Sequence, residues 1–426
     1  MRVFKFGGAS IRDAQAVRHI ATLIQDHLAE QTPLLIVVSA MGKTTNALED
    51  LLQAYLQQDP SWETQLEKIK SDHLAIVEEL FEDREATVFL VLERLFFQLR
   101  ETLGYPISNY DKKYDQIISF GEIIASNIVA RYLQQLYKSC LWVDARKFIQ
   151  TDENWREGRI DWAWSERLMQ SELMPILEKF FVVTQGFLGG TIGGKTTTLG
   201  REGSDFSAAV FAYCLRAQSV TVWKDVSGIF NADPKQFPEA RLFTQISYQE
   251  AAEMTYYGAS VIHPKTIRPL AKRGISLHVR SFVEPTRTGT QIGAVETLPE
   301  QPCLITKKNQ AFVIFRKKDL ASISQREMVD ILNEAARLNI KINLMQNAAT
   351  ALAFSTNYDP HHLAQLQEEF RLRDAFEISV EQGLEILTLK NYDAQTLARY
   401  AHMEGEVLRQ SYRRNCHILY RRPEKK

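Results

Sequence analysis

Four charged side chains in this 426-residue sequence stand where they could recognise a ligand. Lys5 lies in an apolar strand, Val3-Phe4-Lys5-Phe6, just before Gly7-Gly8. Glu122 sits among Phe120, Ile123 and Ile124, with Gly121 leaving room beside it. Arg201 and Asp205 flank the start of a helix that begins near Ser204. Ligands of open α/β sheets collect at the carboxyl ends of strands, so Lys5 is placed to reach a phosphate laid over the following loop. A carboxylate in apolar surroundings can hold an ammonium group. The alternatives are a strand-end lysine turned to solvent and an exposed helix glutamate.

The stretch from Thr184 to Asp205 carries seven glycines: Gly186, Gly189, Gly190, Gly193, Gly194, Gly200 and Gly203. An apolar run, Phe180-Phe181-Val182-Val183-Thr184, precedes it, and small apolar residues follow Ser204. The pattern reads as strand, glycine-rich loop and helix N-terminus. Exposed backbone N–H groups and the positive end of a helix suit a polyphosphate; a flexible hairpin and surface loop is the alternative. Gly189 to Thr196 also matches the formal P-loop pattern G-x-x-x-x-G-K-[ST]. A P-loop needs its Lys-Thr to open a helix, whereas Thr196-Thr197-Thr198-Leu199-Gly200 is a β-branched run broken by glycine. The match is read as accidental, with the glycines forming a β-hairpin.

Two further loops lie at strand ends. Leu34 to Ser39 is an apolar strand followed by Ala40-Met41-Gly42-Lys43-Thr44-Thr45-Asn46 and a helix. Thr44 or Thr45 can cap that helix or contact a small substrate. Val220 to Trp223 leads through Lys224-Asp225 to Phe230 and Lys235, which could grip an adenine nucleotide or simply form a charged surface turn. His263, before Pro264, reads as a structural hydrogen-bonding residue.

The elements that must position these groups follow from periodicity. Strand, helix and strand over residues 3–39 form a βαβ unit, and residues 47–104 and 112–138 are mostly helical. The fold class is α/β with a mostly parallel sheet in three layers. Val283 to Pro302, rich in proline and turn signals, reads as a boundary between a first domain, 1–292, and a tail, 303–426. The tail alternates as two rounds of β-α-β-β, suggesting two small α+β modules with no catalytic set, suited to ligand sensing or dimer contact. Net charge is −1, so no overall field recruits nucleic acid or an acidic membrane. The four cysteines are far apart and the nine histidines lack ligand spacing, so neither disulfides nor a protein-bound metal are expected. No signal peptide or long apolar run is visible, which fits a cytoplasmic protein.

Six stretches in register resemble the aspartate kinases of the amino acid kinase family: K-F-G-G-A-S, S-A-M-G-K-T-T-N-A-L, S-F-G-E, T-T-T-L-G-R-E-G-S-D, W-K-D-V-S-G-I-F-N-A-D-P-K and Y-Y-G-A-S-V-I-H-P. The tail is loosely similar to that family's paired ACT modules. The resemblance implies transfer of a phosphoryl group from ATP to the side chain of L-aspartate, the first step of lysine, threonine and methionine biosynthesis. It implies that Lys5, Gly7, Gly8 and Ser10 meet the ATP phosphates. Lys224, Asp225, Phe230 and Lys235 would line the nucleotide site. Thr45, Glu122 and Arg201 would bind aspartate, and Asp205 would order its amino group and a lysine. Magnesium would arrive with ATP, held by phosphates and water. A homodimer through the tail and an amino acid effector are implied as well.

The sequence departs from the family pattern at Ala9, Lys224, Ser227 and Ser260. Ser260 stands where many members have a lysine, a loss that Lys224 or Lys265 could compensate. The effector-binding pattern is not evident in the first tail module, so feedback by lysine or threonine is left open. No fused homoserine dehydrogenase is expected at this length. Acetylglutamate, glutamate or UMP kinases, and a catalytically weak amino acid sensor, are the competing readings.

Overall fold

The computed structural model describes residues 1–83, 85–259, 261–295, 301–319, 321–371 and 375–422. Contacts divide the chain into two units. The first comprises Met1–Ile229, Leu242–Thr255 and the described residues from 261 to 295. The second comprises Phe230–Arg241, Tyr256–Ala259 and the described residues from 301 onward.

The first unit is built on β1 (Arg2–Phe6), β2 (Leu34–Val38), β3 (Cys140–Trp142), β4 (Phe181–Gln185), β5 (Leu188–Gly190), β6 (Thr196–Thr198), β7 (Ser219–Lys224), β8 (Gln245–Ser247), β9 (Ser276–Ser281) and β10 (Thr290–Gly293). Eight of these form one sheet in the order β3-β4-β2-β1-β7-β9-β10-β8, parallel except between β9 and β10. Every residue of β2 and β4 is buried, as expected of strands covered on both faces. The helices are α1 (Ala14–Ala29), α2 (Thr44–Leu56), α3 (Ser61–Leu80), α4 (Thr87–Gly104), α5 (Tyr110–Leu136), α6 (Trp162–Leu168), α7 (Met174–Leu177), α8 (Gly203–Cys214), α9 (Tyr248–Tyr257) and α10 (Pro264–Arg273). A π-helical turn, Met169–Leu173, joins α6 to α7. No helix among the described residues is long and apolar enough to cross a membrane.

Alternation along β1 sorts its side chains. Phe4 and Phe6 enter the core shared with α1, α2 and α5. Lys5, between them, points to the opposite face, where α8 packs over β1, β2 and β7. Lys5 lies beside Val222 in the register, so Lys224, two residues on, shares its face. Two cationic residues therefore stand near the carboxyl ends of neighbouring parallel strands.

The glycine-rich stretch resolves into the β5–β6 hairpin and then α8. Thr196 lies in β6 rather than opening a helix, and Lys195 pairs with Glu153 on the surface at 2.6 Å. The P-loop pattern is indeed accidental. Gly193 and Gly194 sit in the hairpin tip, next to an exposed Ile192, in line with the reading of this stretch as a β-hairpin. The stretch 283–302 begins with residues of the first domain, among them β10 of the large sheet; residues 296–300 of it lie outside the described residues.

In the second unit, β11 (Cys303–Lys317), β12 (Ile342–Asn347), β13 (Ala351–Asn357), β14 (Phe376–Lys390), β15 (Glu406–Tyr412) and β16 (Asn415–Arg421) form one antiparallel sheet in the order β12-β13-β11-β14-β16-β15. It carries α11 (Gln325–Arg337), α12 (Pro360–Arg371) and α13 (Ala394–Arg399). Ser324 and Glu327 close a capping box at the start of α11. Leu304–Thr306 and Ala311–Phe315, two strands by pattern, are one strand with register shifts between Lys307 and Phe312. The two β-α-β-β rounds are therefore fused through β11 and β14 into one sheet. β15 escaped the sequence reading because its residues are only partly buried and carry no clear alternation.

Gly186, just after β4, packs against the entrance of α8 at Ser204. A Cβ there would lie 2.6 Å from Cβ of Ser204 and 2.8 Å from its Cα, and backbone cannot yield cheaply. Gly186→Ala should therefore destabilise the first unit by about 2 kcal/mol or more, measured as a lower denaturation midpoint. An unchanged midpoint would contradict this packing.

Candidate functional site

Helix α8 opens without a side-chain cap. Glu202 takes a left-handed conformation, φ +52°, and Asp205 falls in the first turn. This leaves Asp205 facing β1 and β7. Its Oδ1 lies 2.6 Å from Nζ of Lys5 and its Oδ2 lies 3.0 Å from Nζ of Lys224. All three groups are withdrawn from water, with side-chain exposures of 3% for Asp205, 9% for Lys5 and 19% for Lys224. Burial alone would raise the Asp205 carboxyl, but the two ammonium groups outweigh it and hold the group below the ordinary carboxylate range. Two cations against one anion leave a surplus positive charge in a poorly solvated place. An anionic ligand is what such an arrangement stabilises.

Glu122 approaches from α5. Gly121 lets the helix come close to the loop after β2: a Cβ on it would stand 3.0 Å from that of Ala40. Glu122 Oε1 accepts from the Ala40 N–H at 3.3 Å, while Oε2 is buried with no hydrogen-bond partner. Burial pushes its carboxyl up to about 8, against the pull of the Ala40 N–H and Lys5. A buried carboxylate oxygen without a donor is suited to an incoming ammonium group.

These groups line one cleft of about 700 Å³. Lys5, Gly8, Thr45, Glu122, Arg201, Asp205 and Lys224 all border it. Arg201, exposed on the turn before α8, makes no ion pair among the described residues. The loop after β1 touches the loop after β2 through Gly42, whose N–H donates to the Gly8 carbonyl at 3.1 Å; a Cβ on Gly8 would lie 2.8 Å from the Ala40 oxygen. A Cβ on Gly7 would approach Lys5 Nζ to 3.3 Å, yet Gly7 does not border the cleft. Nor does Ser10, whose buried hydroxyl donates to the Trp223 carbonyl at 3.4 Å.

Asp225 is exposed and outside the lining. Phe230 and Lys235 belong to the second unit. Ser260 lies outside the described residues. Lys265, proposed to stand in for it, donates to the Leu199 carbonyl at 2.7 Å and lies over the Phe206 ring. His263 is structural as read, its ring nitrogen accepting from the Lys265 N–H at 3.2 Å.

The sequence reading missed Asp115, which is fully buried one face and two turns before Glu122 on α5. Its oxygens accept from the Arg156 N–H at 2.9 Å, the Thr198 N–H at 3.0 Å and the Thr198 hydroxyl at 2.7 Å. It thereby fixes two loops that wall the cleft. Its seven-residue spacing from Glu122 was the available signal. Tyr114, Arg156 and Glu157 on the same wall had none.

A sequence profile of the amino acid kinase family matches residues 1–281. Lysine-sensitive aspartokinase 3 of Escherichia coli (strain K12) is 30% identical over 402 residues, covering 92% of this chain and 87% of that protein. The chloroplastic bifunctional aspartokinase/homoserine dehydrogenase 2 of Zea mays is 31% identical over 298 residues; the match spans 68% of this chain and only 32% of the relative. A crystal structure of E. coli aspartokinase III in complex with aspartate and ADP (R-state) has a TM-score of 0.82 at 26% identity, covering 99% of this chain and 96% of that one.

The raised carboxyl of Glu122 has a stability signature. Its folded value near 8 exceeds its ordinary 4.5, so between these limits the folded protein binds more protons than the unfolded. The contribution is fully present below the lower value and is lost as pH rises through the upper one. Denaturant titrations of the ligand-free protein should show stability falling from about pH 5 to about pH 8 relative to Glu122→Gln. A difference independent of pH would contradict the burial of this group.

Proposed function

The chain belongs to the amino acid kinase family, among its aspartokinases, and we propose that it transfers the γ-phosphoryl group of ATP to the side-chain carboxylate of L-aspartate, giving 4-phospho-L-aspartate. The observation that carries this reading is the surplus charge of Lys5 and Lys224 on Asp205, in one cleft with the unpartnered oxygen of Glu122. The acceptor carboxylate, with a solution pKa near ~4, is ionised at neutral pH and needs no general base. Catalysis then consists of placing two anions together and neutralising charge on the transferring group.

In this reading Lys5, Lys224 and the Gly8 backbone meet the triphosphate, and Asp205 holds both lysines at the distance the phosphates need. Glu122 receives the ammonium group of aspartate, Thr45 contributes its hydroxyl, and Arg201 takes the α-carboxylate as a bidentate pair. Magnesium enters with the nucleotide, bound by phosphate oxygens and water. The second unit serves effector response and dimer formation, and lysine, to which the E. coli relative is by name sensitive, is the first effector to try.

The assay is purified protein with Mg-ATP and L-aspartate, N-acetylglutamate, glutamate or UMP in turn, following ADP release and trapping acyl phosphate with hydroxylamine. Aspartate alone should give hydroxamate. Turnover with another acceptor only, or with none, would overturn the assignment. Asp205→Ala should lower kcat by roughly 10²-fold or more, because both lysines lose their anchor. Arg201→Ala should lower kcat/KM for aspartate by roughly 10²-fold, with little change in KM for ATP. Wild-type kinetics in either variant would mean the site is misassigned.

A further inference from the structure

Four cations border the cleft: Lys5, Lys224, Arg201 and Arg156. The first two are taken by Asp205. Arg156 has no place in the scheme above, and its conformation is unusual. Its φ is +65°, a left-handed geometry that glycine or asparagine adopts at less cost than arginine. Its backbone is held on one side and closely faced on the other. Asp115 holds the Arg156 N–H at 2.9 Å, and the Arg156 carbonyl lies against Gly200, where a Cβ would come within 3.2 Å of it. Gly200 immediately precedes Arg201, so the two arginines belong to two loops that abut at this point. Strain kept at a cleft wall is a pointer to function when the side chain it displays is suited to the ligand.

The displayed side chain is so suited. The guanidinium lies 4.2 Å above the Tyr114 ring, which also borders the cleft. Stacking fixes the plane of the fork and leaves its edge N–H groups available. The ion pair with Asp111 is long, 3.5 Å, and about half-exposed on both sides, so it neutralises the guanidinium weakly.

We propose that Arg156 is a second carboxylate-recognising residue of the acceptor subsite, gripping the α-carboxylate together with Arg201 and so selecting an amino acid that carries two carboxylates. This rests on the aspartate kinase reading. A group already stacked and backbone-locked loses little freedom on binding, which is why it is worth holding in a strained conformation.

The test is Arg156→Gly, compared with Arg156→Lys and Arg156→Asn, in the full chain. Glycine relieves the backbone, so the melting temperature should stay level or rise. KM for L-aspartate should increase about tenfold or more, with a much smaller change in kcat and none in KM for ATP. Lysine, which keeps charge without the fork, should fall between. β-Alanine, which is aspartate without its α-carboxylate, should compete equally well against wild type and R156G. Unchanged KM for aspartate in R156G overturns the proposal, as does a lower melting temperature with unchanged KM, which would mark the arginine as structural only. If R156G does not fold, R156N and R156K decide by the same KM comparison. A wild-type protein inactive toward aspartate would sink the functional reading instead, so the two failures are distinguishable.

Discussion

The first unit depends on one buried electrostatic arrangement: a single carboxylate, Asp205, shared by the ammonium groups of Lys5 and Lys224. Each group would be costly in isolation so far from water. Together they balance except for one positive charge, which no described side chain cancels within the triad. The fold is arranged to produce this imbalance. Parallel pairing of β1 and β7 sets the two lysines on one face, and close packing at Gly186 delivers the first turn of α8 over them. A buried ion pair is weak evidence of stability, since apolar packing commonly does as well. Its persistence at the carboxyl ends of parallel strands is better explained by a ligand whose negative charge completes it.

Glu122 is the opposite case. It has too few partners rather than too many, and burial holds its carboxyl near 8 until something supplies a donor. A bound ammonium group would favour the ionised carboxylate, its proton passing to solvent, and would donate to the free oxygen. The cleft thus presents a site for an anion at one set of elements and a site for a cation at another. An α-amino acid and a nucleotide triphosphate fit that division of charge, with the acceptor carboxylate between them. Such a site works by arrangement, since neither reactant needs proton transfer to react.

Much of this was legible in the sequence because its signals are local. A lysine before Gly-Gly in an apolar strand, a glutamate after glycine among isoleucines, and an Arg-x-x-x-Asp pair at a helix start each announce a charge placed deliberately. The family resemblance joined them into one site, and the cleft does bring Lys5, Glu122, Arg201, Asp205 and Lys224 together. Glycines 193 and 194 match a P-loop pattern and sit in the tip of the hairpin that the following β-branched run announced. Phe230 and Lys235 follow Lys224 closely in sequence and belong to the second unit. The Asp115 carboxylate meets the Arg156 N–H across 41 residues of sequence, a pairing that no local pattern encodes.

A crystal structure with magnesium, a non-hydrolysable ATP analogue and L-aspartate tests the role of the surplus charge most directly. The terminal phosphate should lie within hydrogen-bond reach of Lys5 and Lys224, with the aspartate ammonium on Glu122 and its side-chain carboxylate turned toward that phosphate. A nucleotide bound away from the two lysines, or aspartate outside this cleft, would contradict the account.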